Sequence, residues 1–327
     1  MRLTIHTLLL ASGLLMAGEA MAAAATYQYC STAGCRIGGS QTVTSNYAHT
    51  KYPVVFAHGM FGFSSIIGSV DYWYGIPQDL AANGAAVFET QVAAIHSSEV
   101  RGEQLLSQVK QILAITGVSK VNLIGHSHGN QSIRYVAGMI PKQVASATSI
   151  GGPTFGLPLA DYYLKLAKTP ALGSVVSAAI NAFGSLIGVS SGHYYDENIV
   201  AAMTSVSTAG AAAFNVKFPA GVPTTACGNG AYLANGVRYY SWSGTGVVTN
   251  IFDPSDALLA LTSLTVQGPS DGGIPQCSSH LGQVIRDNYN QNHLDEINQT
   301  FGLVNVFSVS PVVLYRQHAN RLKVAGL

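Results

Sequence analysis

The sequence predicts an α/β protein in which helices cover both faces of a mostly parallel β-sheet. Two observations carry this prediction: short apolar runs end in glycine-rich loops, and segments with helical apolar spacing lie between them. A third is that 48% of the 327 residues are apolar, which is enough for a large core. No internal repeat or proline-rich linker divides the chain, so we predict a single domain.

The predicted alternation involves three strands and two helices. In chain order they are a strand over 53–57, a helix over 98–115, a strand over 120–124, a helix over 133–140 and a strand over 144–150. The strands are continuous apolar runs, typical of strands buried on both faces. Gly117 and Pro141 mark the ends of the two helices.

The charge of the chain excludes several classes of protein. Only 9% of residues are charged, Lys and Arg number 16, and the formal net charge is +1. Binding to nucleic acid requires clustered cations, so we expect no nucleic-acid partner. Disorder requires low hydrophobicity or high net charge, and the chain has neither.

The N-terminus predicts export. Arg2 precedes an apolar run over 3–17, and Ala20-Met21-Ala22 places small residues where a signal peptidase reads them. The run is shorter than the roughly 20 residues that span a bilayer, which argues against a membrane anchor. We predict a signal peptide over 1–22, a mature chain of 23–327 and no transmembrane segment after cleavage.

Export permits disulfides, and the cysteines are four in number: Cys30, Cys35, Cys227 and Cys277. Three pairings are possible, and the sequence-local one joins Cys30 to Cys35 and Cys227 to Cys277. A zinc site is the rival interpretation. It is disfavoured because no Cys-x-x-Cys spacing occurs.

The pattern Gly125-x-Ser127-x-Gly129 lies directly after a predicted strand and before a predicted helix. This arrangement is typical of a nucleophile elbow, in which glycines permit a turn too tight for side chains. The helix N-terminus behind the serine stabilises the negative charge that develops during attack. Ser127 is therefore the predicted nucleophile.

Such a serine needs a base and an acid later in the chain. The candidates in the C-terminal region are His280, His293, His318, Asp253, Asp256 and Asp271. We favour His293, at the junction of a loop and a helix, over His280, which falls in a predicted helix over 278–286. Asp271 is favoured as the acid because it lies in a turn after a strand-like segment over 264–266, although a solvated turn residue is the equal alternative.

The predicted oxyanion hole uses two backbone N–H groups. One belongs to His128, directly after the nucleophile, and the other to Met60, at the tip of the loop over 58–62. Each such donor contributes about 10²–10³ in rate.

Residues 169–195 contain no charged side chain, and apolar residues recur at helical spacing within them. We interpret this segment as a helical lid within an insertion at about 158–215. A fully buried helix and a membrane span are the alternatives, and the serines and glycines that interrupt the segment disfavour the span.

Several longer motifs resemble the secreted bacterial true lipases of the Pseudomonas type, the family I triacylglycerol lipases. They are HGMFG at 58–62, DYW at 71–73, VRGEQL at 100–105, VNLIGHSHG at 121–129, DPSDA at 253–257, CSSHLG at 277–282 and HLDEINQ at 293–299. The resemblance extends from about residue 52 to the end of the chain.

This resemblance implies an α/β-hydrolase fold and a triad of Ser127, Asp271 and His293, since Asp271 stands six residues before Cys277 as it does in the family. It also supports a Cys227–Cys277 bridge. For a structural Ca²⁺ ion it implies the carboxylates of Asp253 and Asp295 and the backbone carbonyls of Gln299 and Leu303. Oxygen ligands of this kind suit Ca²⁺.

The resemblance further implies a triacylglycerol substrate at a lipid–water interface, no organic cofactor, a lipase-specific foldase and export through the periplasm to the extracellular medium. Two departures from the family pattern affect pocket shape: Asn130 after the elbow, and Gly152-Pro153-Thr154-Phe155-Gly156 in place of Pro-His-x-Gly. An esterase or polyester depolymerase with the same triad is the nearest rival function. A non-catalytic secreted binding protein is the rival from another class.

Overall fold

The structure, a computed structural model, describes residues 24–66, 70–169 and 172–327. The predicted signal peptide lies outside these residues. The strands are β1 (Ala24–Ser31), β2 (Gly34–Thr42), β3 (Val54–Ala57), β4 (Ser65–Ile66), β5 (Val70–Asp71), β6 (Val87–Thr90), β7 (Val121–His126), β8 (Val144–Ile150), β9 (Leu233–Ala234), β10 (Val237–Gly244) and β11 (Gln283–Tyr289). The helices are α1 (Ile76–Ala82), α2 (Ser98–Thr116), α3 (Gly129–Met139), α4 (Pro158–Ala167), α5 (Leu172–Ser190), α6 (Ile199–Val206), α7 (Thr208–Lys217), α8 (Ser255–Ser263) and α9 (Pro311–Val324).

The main sheet has the order β2-β1-β6-β3-β7-β8-β10-β11, with the short β9 paired to β10. Strand pairs from β1 to β11 along this order are parallel, whereas β2 and β9 run antiparallel to their neighbours. The predicted α/β class is confirmed. The three predicted strands correspond to β3, β7 and β8, and the two predicted helices to α2 and α3.

Two hydrophobic clusters cover the two faces of the sheet. One includes Leu105 and Ile112 of α2 and Ile133 of α3, and the other includes Ile76 of α1 and Tyr315 of α9. A third cluster lies beneath α4, α5 and α6. The parallel register pairs the ends of β3 and β7, so the loops that follow these strands lie side by side. These loops carry Met60, Ser127 and His128, whereas Asp271 and His293 follow α8 and β11.

The segment before residue 52, for which the sequence predicted no strand, forms part of the sheet. β1 and β2 form an antiparallel hairpin, and β1 joins the sheet beside β6. The Cys30–Cys35 disulfide closes the end of this hairpin, and a second disulfide joins Cys227 to Cys277. Both local pairings expected from the sequence are therefore present.

Two predicted elements near the candidate acid and base are wrong. Residues 264–266 do not form a strand, because they belong to the turn that ends α8. The helix predicted over 278–286 is a short 3-10 turn, Gln276–Ser279, followed by β11. Pairing of β11 with β10 overrides the local helical pattern. His280 lies between these elements, buried and hydrogen-bonded to Asp287.

Candidate active site

Ser127 lies in the tight turn between β7 and α3, with its backbone in the left-handed region at φ +54°. Its N–H donates to the carbonyl of Ile150 at 2.9 Å, which ties the turn to the end of β8. A Cβ atom on Gly125 would lie 2.4 Å from the carbonyl oxygen of Gly129, and one on Gly129 would lie 2.2 Å from that of Ala57. The two glycines of the motif are therefore required by close packing, and they leave the serine partly exposed.

His293 and Asp271 lie together, although 22 residues separate them in sequence. The Nδ1 atom of His293 lies 2.7 Å from Oδ2 of Asp271, and the N–H of His293 donates to the carbonyl of Asp271 at 2.7 Å. Oδ1 of Asp271 accepts the N–H groups of Gly273 and Ile274 at 2.9 and 2.6 Å. These bonds orient the buried carboxylate, while the His293 side chain stays 14% exposed.

Ser127 and His293 line one cavity of about 770 Å³. Most of its other lining residues are apolar, including Phe61, Leu157, Ile180, Phe183, Met203, Val206, Leu258, Leu259 and Ile274. Met60 and His128, the predicted oxyanion donors, also line it. The arrangement suits an apolar acyl chain placed beside the Ser127 hydroxyl group.

The loop that carries Met60 is held by a buried arginine. The Arg101 guanidinium donates to the carbonyls of His58 and Gly59 at 2.6 and 3.0 Å, and burial lowers its pKa to about 10. The His128 imidazole lies 2.9 Å from Ser98 Oγ, and burial holds its pKa well below the ordinary value. Since that imidazole is neutral and engaged, any oxyanion role of His128 rests on its backbone N–H.

Sequence reasoning missed a chain of hydrogen bonds that links this loop to His293. The N–H of Gly59 donates to Tyr72 Oη at 3.0 Å, and Tyr72 Oη lies 2.6 Å from Nδ1 of His126. His126 Nε2 in turn donates to the carbonyl of His293 at 2.9 Å. Because Nε2 is the donor, Nδ1 of the neutral imidazole accepts the Tyr72 proton. The only sequence signal was that Tyr72 and His126 both belong to the longer motifs.

A second acid, Glu296, lies beside the catalytic candidates and was also missed. Its Oε1 atom accepts the N–H of Gly244 at 2.6 Å, while Oε2 lies 3.5 Å from His126 Nε2 and 3.9 Å from His293 Nδ1. Burial, with the nearby Asp271 carboxylate, raises its pKa well above the ordinary value. Its position three residues after His293 was the available signal, because a turn brings such residues together.

The predicted calcium ligands Asp253 and Asp295 are 4% and 0% exposed. Oδ2 of Asp253 and Oδ1 of Asp295 are buried without a hydrogen-bond partner. Burial raises the pKa of Asp295 to about 7, and the charges of Asp256 and Asp253 add to this effect. Unpaired buried carboxylate oxygens fit a hard cation. The loop of Gln299 and Leu303 is tied down by bonds from Gln299 Nε2 to the carbonyls of residues 71 and 72.

The two departures from the family pattern contact each other. Asn130 Nδ2 donates to Thr154 Oγ1 at 3.1 Å, and a Cβ atom on Gly152 would lie 2.4 Å from that of Asn130. Pro153, between them, lines the cavity. Asn130 and the 152–156 segment thus contact each other next to Pro153 of the cavity wall.

Comparison with known proteins identifies the family of this chain. The model of the α/β hydrolase fold matches residues 52–285. A triacylglycerol lipase of Vibrio cholerae is 51% identical over 283 residues, which covers 86% of this chain and 90% of the relative. Triacylglycerol lipases of Pseudomonas fragi and Burkholderia plantarii are 42% and 41% identical, covering 85% and 86% of this chain and 98% and 88% of their own lengths.

Solved structures resemble the fold at lower identity. The Staphylococcus hyicus lipase gives a TM-score of 0.57 at 17% identity, covering 86% of this chain and 99% of that one. The mature form of a Bacillus licheniformis lipase gives a TM-score of 0.53 at 21% identity, covering 77% and 89%. These similarities concern the fold alone.

Proposed function

Because the chain belongs to the triacylglycerol lipases of the α/β hydrolase fold, we propose that it is a secreted lipase whose acyl transfer uses Ser127, His293 and Asp271. The observation that carries the assignment of residues is the shared cavity. There, a strained serine and a histidine oriented by a buried carboxylate line one apolar space.

In this proposal Ser127 Oγ attacks the ester carbonyl while His293 Nε2 takes its proton. The Asp271 carboxylate holds the proton on Nδ1 and stabilises the imidazolium. The N–H groups of His128 and Met60 bind the oxyanion of the tetrahedral intermediate. His293 then protonates the leaving alcohol, and water releases the fatty acid from Ser127 by the same steps.

We propose that α5 is the lid. Its side chains divide into an inner row with Ile180 and Ile187 and an outer row with Val175, Leu186 and Val189, which are 65%, 59% and 49% exposed. Within the described residues, Gly173–Ser190 is long and apolar enough to cross a membrane by composition alone. The inner row packs on the cluster beneath α4 and α6, however, so we assign the outer row to contact with lipid instead.

Other segments that line the cavity also carry exposed apolar side chains. Leu258 of α8 and Thr300 line the cavity, and the exposed apolar side chains within about seven residues of them in the chain include Ile251, Phe252 and Phe307, at 86%, 76% and 97% exposed. Residues 257–270 and 297–315 contain no charged side chain. Uncharged apolar rims of this kind suit contact with an aggregated ester rather than a dissolved one.

We also propose that Asp253 and Asp295, with the carbonyls of Gln299 and Leu303, hold one structural Ca²⁺ ion. The support is the pair of buried carboxylate oxygens without partners. Asp295 is two residues from His293, so the ion would brace the segment that carries the base. Bound Ca²⁺ supplies positive charge to this acidic site; the acyl transfer itself uses the chain's own residues.

Export by a cleaved signal peptide over 1–22, with folding aided by a periplasmic foldase, completes the proposal. The two disulfides support passage through an oxidising compartment. N-terminal sequencing of the secreted protein, with and without a co-expressed foldase, tests both parts.

The deciding experiment measures hydrolysis of tributyrin and triolein below and above emulsion formation. We expect a rise in rate at the interface, acceptance of long chains and labelling of one serine per chain by an organophosphonate. Ser127→Ala should abolish both activity and labelling, whereas the exposed Ser119→Ala should change neither. Saturable hydrolysis of dissolved short esters alone would identify an esterase. Labelling that persists in Ser127→Ala would refute the assignment of the nucleophile.

A further inference from the structure

Three possible metal ligands lie together beneath the catalytic cavity. They belong to His126, His293 and Glu296, and one donor atom from each lies within 4.8 Å of the other two. Glu296 Oε2 is 3.5 Å from Nε2 of His126 and 3.9 Å from Nδ1 of His293. The two imidazole rings lie 4.5 Å apart between centroids.

Glu296 Oε2 is the atom that needs a partner. The Glu296 side chain is fully buried, Oε1 accepts the N–H of Gly244, and Oε2 has no hydrogen-bond partner. Space for both acids is left by Gly151, since a Cβ atom there would lie 2.1 Å from Glu296 Oε2 and 3.1 Å from Asp271 Oδ2. The carboxylate is therefore held against the imidazoles by its surroundings.

Two imidazole nitrogens and one carboxylate are the protein ligands of many catalytic zinc sites. Ligand atoms about 2.0–2.1 Å from a tetrahedral ion lie roughly 3.3 Å from one another, so the three atoms must move closer together, and the bonds of His126 Nε2 to the carbonyl of His293 and of His293 Nδ1 to Asp271 must give way to the ion. We propose that this cluster binds a divalent transition-metal ion, with Zn²⁺ as the probe, and that the bound ion inhibits the enzyme. The inhibitory part rests on the proposed catalytic role of His293.

The inhibition follows from where the protons go. To coordinate the ion, His293 Nδ1 gives up the proton that it donates to Asp271, and this proton moves to Nε2 of the same ring. The Nε2 proton of His126 likewise moves to Nδ1 of its ring, and the Tyr72 hydroxyl turns its own proton away from the ring so that Oη accepts from Nδ1. Any proton on Glu296 passes to solvent. With Nε2 protonated, His293 has no lone pair with which to take the Ser127 proton.

A transition-metal ion can reach the cluster, and the ligands there differ from those that suit Ca²⁺. His126 and His293 both line the open catalytic cavity. The set of Asp253, Asp295 and two carbonyls offers only oxygen, which suits Ca²⁺, whereas imidazole nitrogen favours Zn²⁺ and Co²⁺. Saturating CaCl₂ in every measurement therefore keeps the two kinds of site apart.

The test uses Co²⁺ as a spectroscopic probe and Zn²⁺ as an inhibitor. Binding is measured without turnover, in the full-length mature Ser127→Ala variant. One equivalent of Co²⁺ should produce the visible absorption of nitrogen-ligated Co²⁺, and added Zn²⁺ should remove it. Adding Glu296→Gln should weaken Co²⁺ binding at least tenfold. In the chain with Ser127 intact, the same substitution should raise the Zn²⁺ concentration for half-inhibition of a soluble ester by a similar factor.

Asp287→Asn is the matched control, because His280 and Asp287 form a separate histidine–carboxylate pair at 3.0 Å. It should leave both responses unchanged. If Glu296→Gln does not fold, imidazole ¹⁵N spectra of Ser127→Ala give the answer, since Zn²⁺ should shift His126 and His293 and leave His280 in place.

Absence of Co²⁺ absorption, or Zn²⁺ inhibition that is equal with and without Glu296→Gln, would overturn the proposal. Persistent esterase activity in Ser127→Ala would instead refute the proposed nucleophile and leave the spectroscopic test intact.

Discussion

The segment from Asn292 to Glu296 takes part in two groups of buried acids that differ in what balances them. In the first, Asp271 and Glu296 face the imidazoles of His293 and His126. In the second, Asp253, Asp256 and Asp295 accept hydrogen bonds from backbone N–H groups and from Asn292. No ion pair to a basic side chain is found for this second group among the described residues.

The difference teaches what each group does. In the first group each carboxylate faces an imidazole nitrogen, Asp271 that of His293 at 2.7 Å and Glu296 that of His126 at 3.5 Å, and Glu296 Oε2 is left without a hydrogen bond. The second group keeps uncompensated negative charge at a buried place, which raises the pKa of Asp295 to about 7. Burying such a charge is costly unless a cation joins it. The first group therefore suits the orientation of a base, and the second suits the binding of a cation.

The largest effect is expected when both acids of the first group are substituted. Asp271→Ala combined with Glu296→Gln should lower kcat by about 10⁴, the loss typical when the histidine tautomer is no longer fixed. Asp271→Ala alone should lose less, because Glu296 Oε2 is 3.9 Å from His293 Nδ1 and has no other partner. Steady-state kinetics on a soluble ester check this. A full loss in the single variant would show that Glu296 does not substitute.

The second largest effect is expected when the cation is removed from the second group. Chelation by EGTA should lower the free energy of unfolding by about 3 kcal/mol if Ca²⁺ had been present at about 100 times its Kd. Asp295→Asn should abolish this response, whereas Asp287→Asn should retain it. Thermal unfolding measures both, and a response that survives Asp295→Asn would place the ion elsewhere.

The same region gives a pH dependence for the calcium-free chain. The pKa of Asp295 is about 7 in the folded chain, above its ordinary 3.8. The folded state therefore binds a proton more tightly than the unfolded state, so the stabilisation is complete below about pH 4 and is lost as the pH rises to 7. Urea unfolding at several pH values should show this fall without Ca²⁺, and much less of it with Ca²⁺ or in Asp295→Asn.

A smaller effect tests whether a buried carboxyl group without a partner destabilises the fold at a place where we expect no ligand. Both carboxyl oxygens of Glu89, on β6, are buried without a hydrogen-bond partner. Burial, together with Asp71, raises the pKa of Glu89 well above the ordinary value. Glu89→Gln should raise stability at pH 7 by about 1–3 kcal/mol, and the gain should shrink toward pH 4, where free Glu also carries a proton. A loss of stability at pH 7 would contradict this.

The smallest effect is expected at an ion pair on the surface, which serves as a reference for the buried acids. Glu99 and Lys217 form an ion pair at 3.1 Å, with side chains 45% and 60% exposed. Solvent screens such pairs, so Glu99→Gln should change the free energy of unfolding by less than about 0.5 kcal/mol. A larger change in urea unfolding would mean that burial is not what separates these cases.

Sequence reasoning reached the fold class and the main strands and helices, because apolar periodicity and glycine positions are local signals. It also named Ser127, His293 and Asp271, which the structure places around one cavity or in direct contact. It made no prediction for the hairpin of β1 and β2, and it was wrong at the two elements near Asp271 and His280. Those segments have weak local patterns, and strand pairing or a neighbouring helix decides their structure.

The sequence by itself determined the elbow at Ser127, since the glycines on either side act within a few residues. It also determined the uncharged character of residues 169–195. Only the tertiary structure decided that Tyr72, His126 and His293 form one hydrogen-bonded chain, and that Glu296 faces the imidazoles while Asp295, its neighbour, joins the other acids. The physical reason is distance: hydrogen bonds and charge balance act over a few ångströms between residues far apart in the chain, and packing alone sets those separations.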